Sequence, residues 1–435
     1  GLISPLGIES FYEGNILSDI CKNYKELIEF TGDELECMPN LGLLIMASFF
    51  SPEDELCYIE DQFYKQKGEV PFYFNEDFDL ILVSGFTLQS PRSYEIADHF
   101  RGRGIPVIMG GQHASSLPEE AKNHADAVVI GEGEDVFRQV LEDFRNGKLK
   151  PFYYSKRNIP GDQLPSPRFD ILKFYERYNK VPIQATRGCP YSCEFCSIKA
   201  VYGNKYRKKP VHQVINEIKT ARKYFPNFHV VFVDENMMVD KKYSKELVRQ
   251  LIPLDITWEG YVDITVADDE ELLDLMRESN CVELEIGIET VNQAALEAVS
   301  PWKAKRVPNY NESIRKIQEH GVGVMGLFMV GFDQDGPDIF ERMWNFIKEN
   351  DIFEADLAIL NPLPGSPIYK RLKKEGRVLS EDWTRYTWNQ INFQPKLMDV
   401  EDLRRGMIWL QKQIHSPEWT KRKHTVINPR VRRLC

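Results

Sequence analysis

The sequence is organised around the stretch Arg187-Gly188-Cys189-Pro190-Tyr191-Ser192-Cys193-Glu194-Phe195-Cys196, in which three cysteines are separated by three and then two residues. Thiolates ligate iron–sulfur clusters, and a cubane with four irons normally takes four of them. Cys189, Cys193 and Cys196 would therefore leave one iron open to a small chelating ligand, such as the amino and carboxylate groups of a methionine moiety. The alternatives are three buried structural cysteines or a zinc knuckle, but a zinc site usually has a second ligand pair, and none follows here.

Length and composition limit the class of protein. The chain has 435 residues, which at ~100–200 residues per domain predicts between two and four domains. It contains no apolar run of about 18 residues, so we expect no membrane-spanning helix. No charged-then-apolar leader is visible, so we expect no secretory signal. Eight cysteines in a chain of this length do not make a disulfide scaffold, and cytoplasmic, reducing surroundings fit them.

Charged residues and the remaining cysteines give weaker signals. A net charge of −11 argues against a general nucleic-acid-binding surface. Two basic segments, Lys205 to Lys209 and Lys421 to Arg433, are interpreted as solvated rather than as phosphate sites. Five other cysteines lie far apart in sequence and are interpreted as ordinary thiols: Cys21, Cys37, Cys57, Cys281 and Cys435. A second cluster held by the first three of these is the alternative.

The N-terminal part of the chain alternates between strands and helices. Short apolar runs predict strands at 56–60, 79–85, 106–111 and 127–131, and helices at 41–50, 93–104 and 135–145. This alternation predicts a parallel, doubly wound α/β sheet, whose ligands bind beyond the carboxyl ends of the strands. Glycine-rich turns lie at three of those ends, at 84–87, 110–115 and 131–134. Glycine lets a backbone approach a flat or phosphate-bearing ligand closely.

A second α/β region follows a proline-rich linker at 151–180. Its strands are predicted at 183–186, 229–233, 258–264, 282–288, 322–330 and 355–360, with helices at 211–224, 241–251, 268–278, 310–319 and 337–349. Six β–α units predict a parallel barrel or partial barrel, in which function lies at the carboxyl ends of the strands. Acidic residues, glycines and prolines collect at those ends. Glu289 is a candidate for ligand binding, because a buried carboxylate that ends an apolar strand is costly unless it is paired.

The cysteine loop resembles the radical S-adenosylmethionine (SAM) superfamily, whose C-x3-C-x-aromatic-C loop holds a 4Fe–4S cluster. In that superfamily the open iron chelates SAM, and one electron cleaves a C–S bond of SAM to give a 5′-deoxyadenosyl radical. The resemblance implies SAM contacts at the strand ends. Asp234 and Glu235 match the position near the SAM amino group, with a plain helix cap as the alternative. Gly287 and Glu289 match the position near the ribose.

The later strand ends extend the resemblance. Gly331 would allow close approach of the adenine, and Asp333 follows it as a SAM-site residue that we also expect to cap the next helix. Pro362 belongs to the loop at 361–367, which resembles the segment of the family that borders adenine and substrate.

The N-terminal region resembles the cobalamin-binding domain that often precedes radical SAM domains. The cues are Pro39-Asn40-Leu41-Gly42-Leu43, a Gly-Gly-x-His-Ala turn and a Gly-Glu-Gly-Glu turn. The resemblance implies cobalamin contacts at Ser84, Gly85, Thr87, Gly110, Gly111, His113, Gly131, Glu132 and Gly133. The sequence departs from the wider cobalamin family because it lacks Asp-x-His-x-x-Gly. His113 is therefore not proposed as a metal ligand, and a vestigial domain that only packs or grips substrate is the alternative.

The stretch 331–341 and the Pro-Leu-Pro-Gly segment resemble one subgroup, which has a helical C-terminal extension and includes hopanoid-modifying enzymes. The expected organisation is a Rossmann-like cobalamin-binding domain (1–150), a linker (151–180), a partial (β/α)6 radical SAM barrel (181–369) and a helical extension (370–435). Aromatic residues of the extension are interpreted as core packing, with a substrate pocket as the alternative: Trp383, Tyr386, Trp388, Phe393 and Trp409.

The resemblance implies a cobalamin-dependent radical SAM enzyme that methylates an unactivated carbon of a small-molecule or lipid substrate and takes electrons from a reductant such as flavodoxin or ferredoxin. One alternative keeps the cluster and SAM without methylation, and rearranges a substrate, forms a bond or transfers the aminocarboxypropyl group. Another is a binding protein with a structural or sensing cluster. No proton-transfer residue is assigned.

Overall fold

The computed structural model describes residues 1–5, 16, 37–64, 71–156, 158–352 and 354–426. Cys21, Cys435 and the side chains of the basic tail from residue 423 lie outside the described part of the chain. Cys37, Cys57 and Cys281 are free thiols.

The N-terminal region forms a parallel sheet covered on both faces. Its strands are β1 (Leu2–Ser4), β2 (Tyr58–Glu60), β3 (Ile81–Ser84), β4 (Val107–Gly110), β5 (Ala127–Ile130) and β6 (Phe152–Tyr154), in the order β2-β1-β3-β4-β5-β6. The helices are Leu41–Met46, Ser90–Gly102, Gln112–Ser116, Pro118–His124 and Gly133–Arg145. Successive strand residues pack into different cores, as Leu82 and Val83 do, because side chains alternate between the faces of a strand. The predicted doubly wound sheet is confirmed.

The second region is an open, parallel sheet of β–α units. In chain order its strands are β7 (Val181–Ile183), β8 (Thr186–Arg187), β9 (Arg207–Lys208), β10 (His229–Phe232), β11 (Thr257–Val262), β12 (Cys281–Glu289), β13 (Gly323–Val330) and β14 (Glu354–Ile359). The main sheet has the order β14-β13-β12-β11-β10-β7, and β8 pairs with β9 as a separate antiparallel hairpin. Since β7 and β14 are both edge strands, the predicted partial barrel is confirmed.

The helices of the second region lie in the gaps between its strands. Their bounds are Lys199–Tyr202, Val211–Ala221, Lys241–Leu251, Glu270–Glu278, Gln293–Val299, Pro301–Ala304, Tyr310–Glu319 and Ile339–Glu349. Asp240 and Asp269 cap two of them by accepting a hydrogen bond from a backbone N–H two or three residues into the helix. The helix that follows Asp234 begins at Lys241 and is capped by Asp240. The alternative that Asp234 is a plain helix cap is therefore wrong.

The C-terminal extension contains the helices Pro367–Lys374, Val400–Ile414 and Pro417–Val426. Trp383, Tyr386 and Phe393 are buried, as expected. Trp388 and Trp409 are 50% and 40% exposed, so the expectation of core packing is wrong for these two. Within the described residues, no helix combines the length and apolar composition needed to cross a bilayer.

The basic segment after the cysteines is only partly solvated. Arg207 and Lys209 are buried, with relative exposures of 5% and 1%. Arg207 lies 2.7 Å from Glu132, and Lys209 lies 2.8 Å from Glu217. The interpretation of 205–209 as a solvated face is therefore wrong for these two residues, which form buried ion pairs with Glu132 and Glu217.

Glu60, at the end of β2, makes the stability of the N-terminal domain depend on pH. The Tyr58 hydroxyl donates to Glu60 Oε2 at 3.0 Å, and burial raises the pKa of Glu60 to about 8. The unfolded-state pKa is about 4.3, so the folded state binds the proton more tightly. This contribution to stability is present at acid pH and is lost as the pH rises through about 8.

We expect the melting temperature of the wild-type protein to fall more steeply between about pH 5 and pH 9 than that of Glu60→Gln, whose amide stays neutral. Thermal unfolding at a series of pH values measures the difference. Glu53→Gln, at an exposed position, is the matched control and should follow the wild-type curve. Parallel curves for the wild type and Glu60→Gln would contradict this assignment.

Candidate active site

The cysteine loop (187–196) follows β7, the edge strand of the barrel sheet, by way of the short strand β8. β8 pairs Thr186 with Lys208 and Arg187 with Arg207, which brings the hairpin alongside the loop. Gly188 has a φ of +81°, and a Cβ there would lie 2.6 Å from the carbonyl oxygen of Lys205. Only glycine fits this turn, because any side chain would be both strained and in collision with backbone.

The three thiols of the loop are free, and each cysteine is partly exposed. Burial raises the pKa of Cys196 to about 12, and the nearby thiols of Cys193 and Cys189 add to this increase. Within the described ranges, no three His, Cys, Asp or Glu side chains converge as ligands of a single metal ion would. A cubane instead binds each thiolate to a different iron, so its ligands surround a cube.

Asp234 and Glu235 follow β10 and bind the backbone at the start of the cysteine loop. Asp234 accepts hydrogen bonds from the backbone N–H of Ala185 at 3.1 Å and from Thr186. Glu235 accepts from the N–H of Gly188 at 2.8 Å. Burial raises the pKa of Asp234 to about 6 and that of Glu235 to about 7, and the Asp234 charge contributes to the latter. Both carboxylates shape the turn that precedes Cys189.

Glu289 ends β12 in a left-handed conformation, with a φ of +66°. The register of β12 against β13 shifts between Gly287 and Glu289. The Lys303 ammonium donates to Glu289 Oε1 at 2.5 Å and to the Gly287 carbonyl at 2.6 Å. Lys303 is 7% exposed. Burial lowers the pKa of Lys303, but the Glu289 carboxylate, with smaller contributions from Cys193 and Tyr310, raises the pKa above its ordinary value, so Lys303 stays charged. Backbone strain of this kind concentrates at functional sites.

The segment around Lys303 also covers the cysteine loop. The Cys193 sulfur lies 3.1 Å from the Ser300 hydroxyl, and Glu194 N–H donates to the Val299 carbonyl at 2.9 Å. Tyr191 stacks on Trp302 with ring centroids 3.7 Å apart. Ser300 and Lys303 are not predicted as site residues from the sequence. The only signal was their position shortly after Glu289, in a segment that contains Pro301.

The loop after β13 is arranged differently from the expectation. Asp335, rather than Asp333, accepts hydrogen bonds from Gly331 and Phe332 N–H groups, both at 3.0 Å. Asp333 pairs with Arg371 at 2.6 Å and with Arg377 at 2.7 Å. The next helix begins at Ile339 with Asp338 before it, so the expectation that Asp333 caps it is wrong.

Gly331 and the last loop of the barrel are both tightly packed. Gly331 has a φ of +100°, and a Cβ there would lie 3.0 Å from the ring of Phe393. Pro362 is buried. A Cβ on Gly365 would lie 2.5 Å from the Ser116 hydroxyl and 2.9 Å from Ala200. The last barrel loop is thus inserted between a helix of the N-terminal domain and the helix that follows the cysteines.

The glycine turns of the N-terminal sheet meet at its carboxyl edge. A Cβ on Gly111, which has a φ of +93°, would lie 2.8 Å from the Ser84 hydroxyl and 3.1 Å from the Gly85 carbonyl. Gly110 ends the neighbouring strand β4. His113 is buried, and its ring nitrogens lie 3.2 Å from Thr87 and 2.9 Å from the Tyr94 hydroxyl. The structure therefore brings Ser84, Gly85, Thr87, Gly110, Gly111 and His113 together.

The third turn points toward the cysteine loop. Gly131 and Gly133 flank Glu132, which is 2% exposed. Arg187 donates to Glu132 at 3.1 Å and lies 2.8 Å from Glu134. Burial opposes the charge on Arg187, but the two carboxylates raise its pKa. Glu132, expected at the cobalamin site, thus binds the residue that lies two positions before Cys189.

We expect Gly111→Ala to lower the free energy of unfolding by about 1–3 kcal/mol, because alanine is strained in the left-handed backbone conformation and its Cβ would collide with the Ser84 hydroxyl. It should also reduce the cobalt retained per chain after loading with cobalamin. Gly104→Ala is the matched control, since Gly104 has a φ of +79° with no atom within 4 Å of a Cβ. Urea denaturation and cobalt analysis of both variants separate collision from strain. Equal losses would argue against a crowded turn.

Three family models match the chain. The radical SAM superfamily model matches residues 183–347, and the B12 binding domain model matches residues 35–141. A domain of unknown function, DUF4070, matches residues 366–427. The matched regions contain the cysteine loop, the glycine turns and most of the C-terminal extension, respectively.

The chain is similar to methylating enzymes over most of its length. It is 27% identical to bacteriochlorophyllide d C-12(1)-methyltransferase of Chlorobaculum tepidum over 381 residues, which cover 86% of this chain and 82% of that protein. It is 28% identical to hopanoid C-2 methylase of Rhodopseudomonas palustris over 360 residues, which cover 79% of this chain and 66% of that protein.

A solved structure shares the fold. The radical S-adenosylmethionine methyltransferase TsrM from Kitasatospora setae, with cobalamin and a [4Fe-4S] cluster bound, superposes with a TM-score of 0.63 at 14% identity. The match covers 95% of this chain and 84% of that chain. At this level of identity, the similarity concerns the arrangement of the domains and the path of the backbone.

Proposed function

Because the chain belongs to the radical SAM superfamily and carries a B12-binding domain ahead of its radical SAM domain, we propose that it methylates an unactivated carbon of a small-molecule or lipid substrate. The support comes from methylating relatives that align over most of the chain. One structural observation carries the proposal. The third glycine turn of the B12-type domain lies against the start of the cysteine loop through the ion pair of Glu132 and Arg187, and Ser116 of the same domain packs on Gly365 of the last barrel loop.

The residues at both sites fit the cofactors that these domains take. Cys189, Cys193 and Cys196 would supply three thiolates to a 4Fe–4S cluster, and the glycine turns, whose backbones pack closely at Ser84, Gly85 and Gly111, would present backbone rather than bulky side chains to the flat face of cobalamin. When bound, the cluster with SAM supplies a hydrogen-abstracting radical, and cobalamin supplies a transferable methyl group. The protein positions these groups and shields them from solvent.

The strand-end residues have distinct proposed roles. Asp234 and Glu235 would serve SAM binding by fixing the turn before Cys189, because their oxygens accept hydrogen bonds from backbone there. Glu289 would accept hydrogen bonds from the ribose hydroxyls with the oxygen that Lys303 leaves available. Gly331 and Pro362 would border the adenine, and Asp333 would act indirectly, through its pairing with Arg371 and Arg377.

Anaerobic reconstitution followed by analysis of SAM products tests this function without knowledge of the substrate. We expect about four irons and about one cobalamin per chain. Reduced protein with deuteriomethyl-SAM and a cell extract should form S-adenosylhomocysteine, 5′-deoxyadenosine and a product that carries a deuterated methyl group. 5′-Deoxyadenosine without S-adenosylhomocysteine would favour a radical SAM reaction other than methylation, and methylthioadenosine would favour aminocarboxypropyl transfer.

The same experiment separates an enzyme from a binding protein. A structural or sensing cluster would bind iron without turning SAM into 5′-deoxyadenosine, and Glu289→Ala would then change no product. We further propose a cytoplasmic location and a flavodoxin or ferredoxin as electron donor, because an oxygen-labile cluster needs reducing surroundings. Comparing turnover rates with purified flavodoxin, ferredoxin and dithionite tests the donor.

A further inference from the structure

We propose that residues 364–386 act as a strap that ties the cysteine loop to the B12-binding domain, with Arg371 and Trp383 as its two attachment points. The inference rests on the proposed function, in which two cofactors held by different domains must keep a fixed separation. The strap comprises the end of the last barrel loop and the first part of the C-terminal extension. Arg371 and Trp383 are positioning residues, since neither one is placed in contact with a cofactor.

The first attachment holds the cysteine loop between its second and third cysteines. Arg371 Nε donates to Glu194 Oε1 at 2.6 Å, and Arg371 Nη2 donates to Glu194 Oε2 at 3.1 Å. The backbone N–H of Ile368 also donates to the Glu194 carbonyl at 3.0 Å. Two parallel hydrogen bonds between a guanidinium and a carboxylate fix orientation as well as distance. Glu194 is therefore held by both the side chain and the backbone of the strap.

The second attachment reaches the domain that carries the glycine turns. Trp383 Nε1 donates to Glu120 Oε1 at 2.7 Å, and the indole meets His113 edge-on with ring centroids 5.4 Å apart. The Tyr94 hydroxyl donates to the same Glu120 oxygen at 2.9 Å. Trp383 is 8% exposed. The indole thus packs beside His113, one of the residues expected at the cobalamin site.

The chain between the two attachments is braced rather than loose. Tyr369, Trp383 and Tyr386 form a small hydrophobic cluster of their own, against Leu117 of the B12-binding domain and Leu363 of the barrel. The Glu381 carboxylate accepts from the Tyr369 hydroxyl and from Lys373, the latter at 2.6 Å. These contacts connect the helix of Arg371 to the turn of Trp383. A displacement at one end is therefore transmitted to the other.

The start of the strap is wedged between the same two regions. Gln112 of the B12-binding domain donates to the Pro364 carbonyl at 3.3 Å. Gly365, with its φ of +87°, packs so closely on Ser116 and Ala200 that no side chain fits. Arg371 and Glu194 are 31% and 23% exposed, so this pair alone contributes about 1 kcal/mol or less. The stiffness of the strap comes from its contacts acting together.

Hydrogen–deuterium exchange of the iron-loaded, full-length protein tests the strap. Trp383→Ala should speed exchange in the cysteine loop, 189–198, by at least about threefold, although the hydrogen bond and the ring contacts of Trp383 are made to Glu120, His113 and Tyr386, outside that loop. Arg371→Gln should do the same at 112–120, in the B12-binding domain. Lys374→Gln and Trp409→Ala, at exposed positions of the same extension, are the matched controls and should leave both regions unchanged.

The two ends of the strap must respond together for the proposal to stand. If each variant loosens only its own attachment point, Arg371 and Trp383 are independent contacts and the strap is rejected. If Trp383→Ala does not fold, Trp383→Phe, which keeps the ring and loses the N–H donor, provides the same comparison. The measurement needs neither substrate nor turnover. A protein that fails to methylate could still show the coupling, and a methylating protein could lack it.

Discussion

Cys193→Ala should abolish the iron bound at the cysteine loop while leaving the fold intact. A cubane held by three protein thiolates loses one of its three anchors, so iron should fall from about four per chain to near zero. The side chain is partly exposed, so its truncation opens no core cavity. Reductive cleavage of SAM should fall by at least about a thousandfold, because the cofactor carries that chemistry.

Iron analysis and the visible spectrum after anaerobic reconstitution measure the first effect, and 5′-deoxyadenosine formation measures the second. Cys57→Ala is the matched control, since Cys57 is also a free, partly exposed cysteine but lies in the N-terminal domain. It should keep full iron and full SAM cleavage. Wild-type iron in Cys193→Ala would place the cluster elsewhere in the chain.

Glu289→Gln should lower the free energy of unfolding by about 3–5 kcal/mol, because it leaves the buried Lys303 ammonium without its anionic partner. The Gly287 carbonyl, 2.6 Å from that ammonium, cannot neutralise its charge. Removing the charge as well, in Glu289→Gln/Lys303→Met, should recover most of the loss, since a buried pair is costly mainly when one member is missing. Urea denaturation of the wild type, Glu289→Gln, Lys303→Met and the double variant measures the cycle.

The double variant also separates stability from ligand binding. If Glu289 binds the ribose as proposed, the stable double variant should still bind SAM weakly in an equilibrium titration. Asp268→Asn is the control, because Asp268 and Arg306 form a pair that is 50% and 37% exposed and worth about 1 kcal/mol or less. Wild-type SAM affinity in the double variant would contradict the role of Glu289.

The sequence predicts the two sheets well because their strands are buried on both faces. Parallel strands covered by helices become continuous apolar runs, such as Ile81–Ser84 and Ala127–Ile130, and these stand out without periodicity analysis. It does not predict β6 (Phe152–Tyr154), an edge strand of three residues within the proline-rich segment. Phe and Tyr are common in strands, but a run of three residues next to Pro151 is too short to distinguish a strand from the surrounding linker.

The sequence predicts only those site residues whose characteristic pattern lies within one short segment. The three cysteines lie on one loop, so their spacing is informative. Lys303 and Arg371 are not marked in this way, because their partners Glu289 and Glu194 lie 14 and 177 residues away. In a chain with 55 lysine and arginine residues, no local pattern distinguishes a buried ion-pair partner from a solvated cation. Only the fold selects these two.

The ion cluster around Glu132 has a consequence for how such proteins can be recombined. Glu132 is shared between Arg187 and Arg207, which belong to the barrel region, while Asn158 of the connecting segment donates to it at 3.2 Å. A chimera that exchanges the N-terminal domain as a cassette would transplant the acid and leave two orphaned guanidinium groups behind. The acid and its two arginine partners lie on opposite sides of the domain boundary. An exchangeable unit must therefore include Glu132 together with Arg187 and Arg207.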